Sequence, residues 1–336
     1  MFEYINSKQL LVIIILLLSS VLACLCGLFI GSYKIGFLNL FWGLLSPLET
    51  EIILNIRGPR VLLAILVGAA LGVSGAALQG LFRNPLADPG LIGVSAGAAL
   101  GAVFAIVVFN SAFLGFYFGI YLVPTAAIFG SLVVICLIYI LTSGFNQAGV
   151  TYMLLVGIAL NAIATVGIGF LTFISSDSQL RTLTFWMMGS LGGATWNLLI
   201  PAFFVTIITI FVLIFLARKL DIMQLGEIEA IRVGVNVKKV KMLIILASAS
   251  MIGACVSLSG IVGFIGLVVP HLVRLLGGTN HSFLFIGSAL MGITITVLSD
   301  LLSRIAIQPA ELPIGLATST LGAPFFLWLV LRLNKK

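Results

Sequence analysis

RKLDIMQLGEIEAIRVGVNVKKVK, running from Arg218 to Lys241, holds nine of the 27 charged residues in a chain of 336. It interrupts an otherwise almost continuously apolar sequence. By contrast, residues 89–176 contain no Asp, Glu, Lys or Arg at all. A soluble domain is about 25% charged, whereas this chain is 8% charged and 61% hydrophobic, with a mean hydropathy of +1.28. A soluble fold is excluded. The composition describes a chain that lives in a bilayer and presents one sizeable charged element to water.

A spanning helix needs roughly 20 mostly apolar residues to cross a hydrocarbon core about 30 Å thick. Leu10–Ile30 and Val61–Leu81 meet that requirement, and the 88 uncharged residues 89–176 have room for three more spans with their turns. Leu198–Ala217, Met242–Gly260, Ile261–Leu276, Phe283–Ser303 and Leu312–Leu331 follow, making ten, with Ile261–Leu276 the shortest. A β-barrel would show shorter, alternating segments, so the expected fold is an all-α integral membrane protein. Residues 1–336 form one transmembrane domain, with 218–241 as its cytoplasmic segment.

The formal charge of +7 does not imply nucleic acid, because its distribution follows the spans. With the N-terminus in the cytoplasm, twelve Lys and Arg fall inside, and Lys34, Arg57, Arg60, Arg181 and Arg304 fall outside. That asymmetry is the positive-inside pattern, and it puts both termini in the cytoplasm. Cys24, Cys26, Cys136 and Cys255 all sit in apolar spans without a CxxC spacing, and read as small hydrophobic residues.

Chemistry-bearing motifs are missing. No GxxxxGK[ST] occurs, so the chain itself has no P-loop for ATP. HExxH is absent, and His271 and His281 are too isolated for a metal centre. No catalytic residue, bound cofactor or metal is expected. Asp300 lies near the outer end of its span, four residues before Arg304, a spacing that permits an ion pair. An ion-driven carrier keeps ionisable groups near mid-membrane, at a cost of about 2.5–3.5 kcal/mol each. Here they are nearly absent, so the energy source is expected to be external.

Two further features bear on packing. Gly68 and Gly72 lie four apart, as do Gly93, Gly97 and Gly101; that spacing makes a flat stripe on which helix backbones approach closely in lipid. Between these runs lies Arg83-Asn84-Pro85-Leu86-Ala87-Asp88-Pro89-Gly90, whose two prolines force the chain out of helix. This loop is either a plain turn or the lining of a cavity, with Asn84 and Pro85 as the lining candidates. The connection Ser175–Asn197 carries Trp186 and Trp196, which suit the membrane interface.

Within the charged segment, Gly226-Glu227-Ile228-Glu229-Ala230-Ile231-Arg232-Val233-Gly234 reads as a short cytoplasmic helix. Acids in its first turn and Arg232 in its last complement the helix dipole, and Gly234 suits a left-handed cap. Ile228, Ile231 and Val233 leave an apolar face on a helix too short to stand alone. That face packs on the protein's own loops or inserts into another protein. Lys238, Lys239 and Lys241 read as contacts at the membrane edge.

Taken together, these blocks resemble the permease family of type II ABC importers for iron-siderophores, haem and vitamin B12 (FecCD, BtuC-like). The likeness runs through Ile56-Arg57-Gly58-Pro59-Arg60, the Arg83–Gly90 loop with Gly93, and Phe185-Trp186-Met187-Met188-Gly189. It continues through Leu225–Gly234, Gly263-Phe264-Ile265-Gly266-Leu267-Val268-Val269-Pro270-His271, Asp300 with Arg304, Glu311-Leu312-Pro313-Ile314-Gly315 and Gly322-Ala323-Pro324.

The resemblance implies ten helices per subunit and a second permease subunit, identical or homologous, across a central path. It also implies two cytoplasmic ATPases that carry ATP and Mg, an extracytoplasmic substrate-binding protein, and a bacterial plasma-membrane location. By the same resemblance, Arg57, Arg60 and Arg304 match outward-facing arginines that pair with acids on the binding protein. Leu225–Gly234 matches the coupling helix that seats in the ATPase, and Asn146, Gln147, Gly149, Val150 and Thr151 match the cytoplasmic gate. An iron chelate, as an iron-siderophore, is the expected ligand, with haem or vitamin B12 as alternatives. An ion-coupled carrier and an intramembrane enzyme are the competing classes, and the absence of mid-membrane carboxylates and of a catalytic set weighs against them.

Overall fold

The computed structural model describes residues 5–33, 35–36, 42–43, 45–109, 115–142 and 150–333. Its helices are α1 Ser7–Phe29, α2 Pro47–Phe82, α3 Val94–Val108, α4 Gly115–Leu141, α5 Val150–Phe173, α6 Asp177–Met188, α7 Trp196–Met223, α8 Glu227–Arg232, α9 Val237–Ser259, α10 Ile265–Gly277, α11 His281–Ile305 and α12 Ile314–Leu333. No strand occurs among the described residues. Seven of the helices (α1, α2, α4, α5, α7, α9 and α11) are long and apolar enough to cross a membrane, and α3, α10 and α12 are shorter apolar helices. These ten correspond to the ten spans read from the sequence. The other two, α6 and α8, lie at opposite ends of the bundle, which are called here the α6 end and the α8 end.

The core is built around α2, the most deeply buried of the long helices, packed on α11, α9, α10 and α7. Outward faces of α1, α4, α5 and α7 carry exposed Leu11, Leu18, Phe129, Val166 and Phe215, as expected where lipid is the solvent. Helix pairing rests on small residues. A methyl group at Gly68 or Gly72 would collide with the carbonyls of Gly292 or Ser288 on α11, and one at Gly97 would lie 2.6 Å from the Gly130 carbonyl on α4. The glycine stripes are therefore packing surfaces. Gly93 departs from its stripe: it precedes α3 with φ +89°, a backbone angle that favours glycine.

Two boundaries differ from the sequence reading. The helix carrying the second span begins before Val61, at Pro47, where Ser46 and Glu49 form a capping box; it passes through a π turn at Ile52–Arg57, and its long α-helical stretch opens at Gly58 with Pro59 in the first turn. Proline lacks an N–H, and the shifted bonding of the π turn accommodates it inside a continuous helix. The short span begins at Ile265 rather than Ile261, because Gly260 and Phe264 both have positive φ. In addition, Ser175–Asn197 is more than an interfacial connection. Ser176 caps α6 and Gln179 bonds back to it, while the Gln179 amide donates to the Val107 carbonyl at the end of α3.

Candidate functional site

At the α6 end, the three arginines come together with two acids. The π turn aims Arg57 at the end of α1, where its guanidinium donates to the carbonyls of Leu28, Phe29 and Tyr33. Arg60, one turn further on, is held between two carboxylates. Its Nε donates to Asp300 Oδ1 at 2.9 Å, and its Nη1 reaches both Glu311 oxygens at 3.0 and 2.9 Å. Arg304 Nε lies 3.1 Å from Asp300 Oδ2, and its Nη2 donates to the Gly27 carbonyl. Asp300 thus bridges Arg60 and Arg304 from within α11.

In the chain alone, the three arginines are largely closed off from solvent. Arg57, Arg60 and Arg304 are 5%, 7% and 6% exposed. The physical reason is that a buried cation is tolerable only when paired and hydrogen-bonded, and each guanidinium has found carbonyls or carboxylates inside the fold. The Asp300–Arg304 pair that the spacing permitted is present. Glu311 is the accessible member of the cluster, with 48% of its side chain exposed. It is not among the site residues read from the sequence, and its exposure on the loop after α11 was not visible there.

The α8 end shows the opposite arrangement. Gly226 and Gly234 flank α8 with φ +134° and +90°, so the chain enters and leaves it through angles that favour glycine. The exit is closed by Val235 N–H donating to the Ala230 carbonyl. Ala230 is fully buried against the bundle, while Leu225, Ile228, Ile231 and Val233 are 77%, 68%, 60% and 70% exposed. Among the described residues, nothing covers these four side chains.

Lys241 is not a membrane-edge contact. Its buried ammonium donates to Glu227 Oε2 at 2.8 Å and ties α8 to the second turn of α9. Glu229 and Arg232 pair at 2.9 Å on the exposed surface.

Beside α8, the start of the Arg83–Gly93 loop and the ends of α2, α7 and α11 are pinned together. Arg83 donates to the Met223 carbonyl at the end of α7, Gln224 donates to the Gly80 carbonyl of α2 at 2.8 Å, and Asp221 accepts from the His281 N–H at 3.1 Å as α11 begins. Asp88 caps the turn through the Gly90 N–H at 2.6 Å. Burial pushes the Asp88 carboxyl up from its ordinary value, and that N–H pulls it partway back. Asn84 and Pro85 line a cavity of about 680 Å³ together with Gln79, Arg83, Gln224 and Arg274. Asn146, Gln147 and Gly149 lie outside the described residues, and Val150 and Thr151 stand at the start of α5. Among the described residues no group of three His, Cys, Asp or Glu is placed to hold a metal ion.

The comparisons with known proteins agree along nearly the whole chain. The profile of the FecCD transport family matches residues 13–332. The hemin transport system permease protein HmuU of Yersinia pestis is 46% identical over 322 residues, covering 94% of this chain and 96% of its own. The vitamin B12 import system permease protein BtuC of Vibrio vulnificus is 40% identical over 295 residues, covering 86% and 85%. A solved structure assigned to the metal-chelate type of ABC transporter, in an inward-facing conformation, superposes with a TM-score of 0.85 at 32% identity, covering 95% of this chain and 98% of that one.

Proposed function

The chain belongs to the FecCD transport family, and from that premise we propose that it couples to its ATPases through α8 and carries an iron chelate across the membrane. At the level the relatives share, it is a multi-pass permease of an ATP-binding-cassette importer. ATP and Mg belong to two separate ATPase subunits, and the chain performs no bond chemistry of its own. Its role is to shape one half of a path with a second permease copy, identical or homologous. Both termini and α8 face the cytoplasm, and the α6 end faces the binding protein.

One observation carries the coupling assignment. Four large aliphatic side chains stand in the open, Ile228 and Ile231 on an extramembrane helix whose other side is seated and Leu225 and Val233 just before and after it. Apolar surface held out to water by a fixed helix is a protein contact waiting for its partner. ATP-driven closure of the ATPases would move α8. Through α7 and α9 it would tilt the spans, so that access alternates between the two sides.

For the cargo, the 46% identity to a hemin permease supports haem as the iron chelate. A cobalamin permease at 40% identity makes vitamin B12 the second reading, and the iron-siderophore class is the sequence-based expectation. The test uses a deletion strain complemented with the chain, its ATPase and its binding protein, supplied separately with haem, a ferric siderophore or cobalamin. Rescue by haem alone supports the assignment, and rescue only by one of the others replaces it. In vesicles, ligand accumulation with no ATPase present would overturn the permease mechanism altogether. Changing Glu227 or Arg232 should weaken ATPase assembly or stimulation while leaving binding-protein contact intact.

A further inference from the structure

The two carboxylates on Arg60 differ in one respect that matters for docking. Asp300 is sealed, with 2% of its side chain exposed, whereas Glu311 is half in water. Arg57 is held by three backbone carbonyls, and Arg304 by Asp300 and the Gly27 carbonyl. Of the three guanidinia, Arg60 is therefore the one whose carboxylate partner can be reached from solution. An acidic side chain approaching this cluster meets Glu311 before it meets Arg60.

We propose that Glu311 is an internal stand-in for a partner carboxylate: it occupies Arg60 in the undocked chain and is exchanged for an acidic side chain of the external binding protein. This rests on the reading of the α6 end as the binding-protein face. Charge balance supports the exchange. Among the described residues the cluster holds three arginines and two carboxylates, a net charge of +1. Releasing Glu311 alone would leave a nearly buried guanidinium short of a partner, which is costly. Exchange avoids that state, because one carboxylate leaves as another arrives with the same two hydrogen bonds.

The two sides of the guanidinium are also unequal in strength. A half-exposed ion pair is weak, so the Glu311 contact yields while the sealed Asp300 contact holds Arg60 in place. Only the Glu311 side chain has to turn. Its backbone is anchored on the C-terminal side by Leu312 N–H donating to the Ser303 carbonyl at 3.0 Å and Ile314 N–H to the Gly189 carbonyl at 3.1 Å. The exchange also makes a specificity filter, since an approaching Lys or Arg would add its charge to a cluster that is already positive.

The experiment compares wild type with Glu311→Gln, each assembled with its ATPase in lipid nanodiscs, and titrates the binding protein of the same system. Glu311→Gln removes the competitor and raises the net charge by one. Binding should tighten by about fivefold, with a steeper dependence on salt. Peptide-resolved labelling with phenylglyoxal gives a readout independent of the binding protein. Arg60 should react faster in Glu311→Gln than in wild type, with Arg57 and Arg304 slow in both. If wild type binds and Glu311→Gln binds equally or more weakly, the exchange is wrong while the docking face stands. If wild type shows no binding, the docking face and the exchange fall together. Equal labelling of Arg60 in both proteins overturns the shielding on which the exchange depends.

Discussion

The two ends of the bundle invert the usual placement of charge and apolarity. At the α6 end three arginines are drawn inside and consumed by carbonyls and carboxylates. At the α8 end four aliphatic side chains are pushed out, while Ala230 and the Lys241–Glu227 bond do the seating. The contrast separates two kinds of job. Buried arginines rivet α1, α2 and α11 together, and only their one accessible carboxylate faces outward. Exposed aliphatics contribute nothing to this chain alone, and acquire their value when another protein covers them.

The contrast breaks most readily at Asp300. Asp300→Ala leaves Arg60 and Arg304 buried without their shared acid, and should destabilise the bundle by about 3–5 kcal/mol. The readout is loss of monodisperse protein, or a sharply lowered unfolding temperature in detergent; wild-type behaviour would show that the cluster is not structural. Next in size, Ile228→Asp places a charge in the middle of the aliphatic patch. It should weaken ATPase association by about 2 kcal/mol, roughly thirtyfold, with the unfolding temperature unchanged. A drop in stability with association intact would reverse the assignment.

Smaller effects sharpen the picture. Lys241→Ala removes the bond that orients α8, at a cost of about 1 kcal/mol in stability. ATPase should still bind, but ligand-stimulated hydrolysis should fall severalfold in proteoliposomes, because a loosened α8 transmits less movement. Glu229→Gln removes a pair that is exposed on both sides. It should change stability by no more than a few tenths of a kcal/mol, which circular dichroism melts would register as no shift.

Most of the architecture was legible because bilayer length and apolarity are strong signals. The weaker readings failed where tertiary geometry decides. The second span was read from Val61, yet the capping box at Ser46–Glu49 marks an earlier start, and the intervening π turn has no pattern of its own. The Ser176 and Gln179 signature of α6 was present in the sequence too, but two nearby tryptophans drew the reading to the interface. At the site, residue type gave the apolar character of Ile228, Ile231 and Val233 but not the direction they face. The arginines were legible as a group, whereas their burial follows from Asp300 and Glu311, which lie some 240 and 250 positions away. Lys241 reads as an ordinary flanking lysine until Glu227 is seen beside it.

The glycine contact between α2 and α11 has a mechanical result. Backbone lies on backbone at Gly68 and Gly72, so no layer of deformable side chains separates the two helices, and they behave as a single beam. With 25 residues, α11 is about 37 Å long. One of its tips meets the last turn of α7 through His281 and Asp221, and the other holds Asp300 and Arg304. A beam of that stiffness cannot tip at one side of the membrane without tipping at the other.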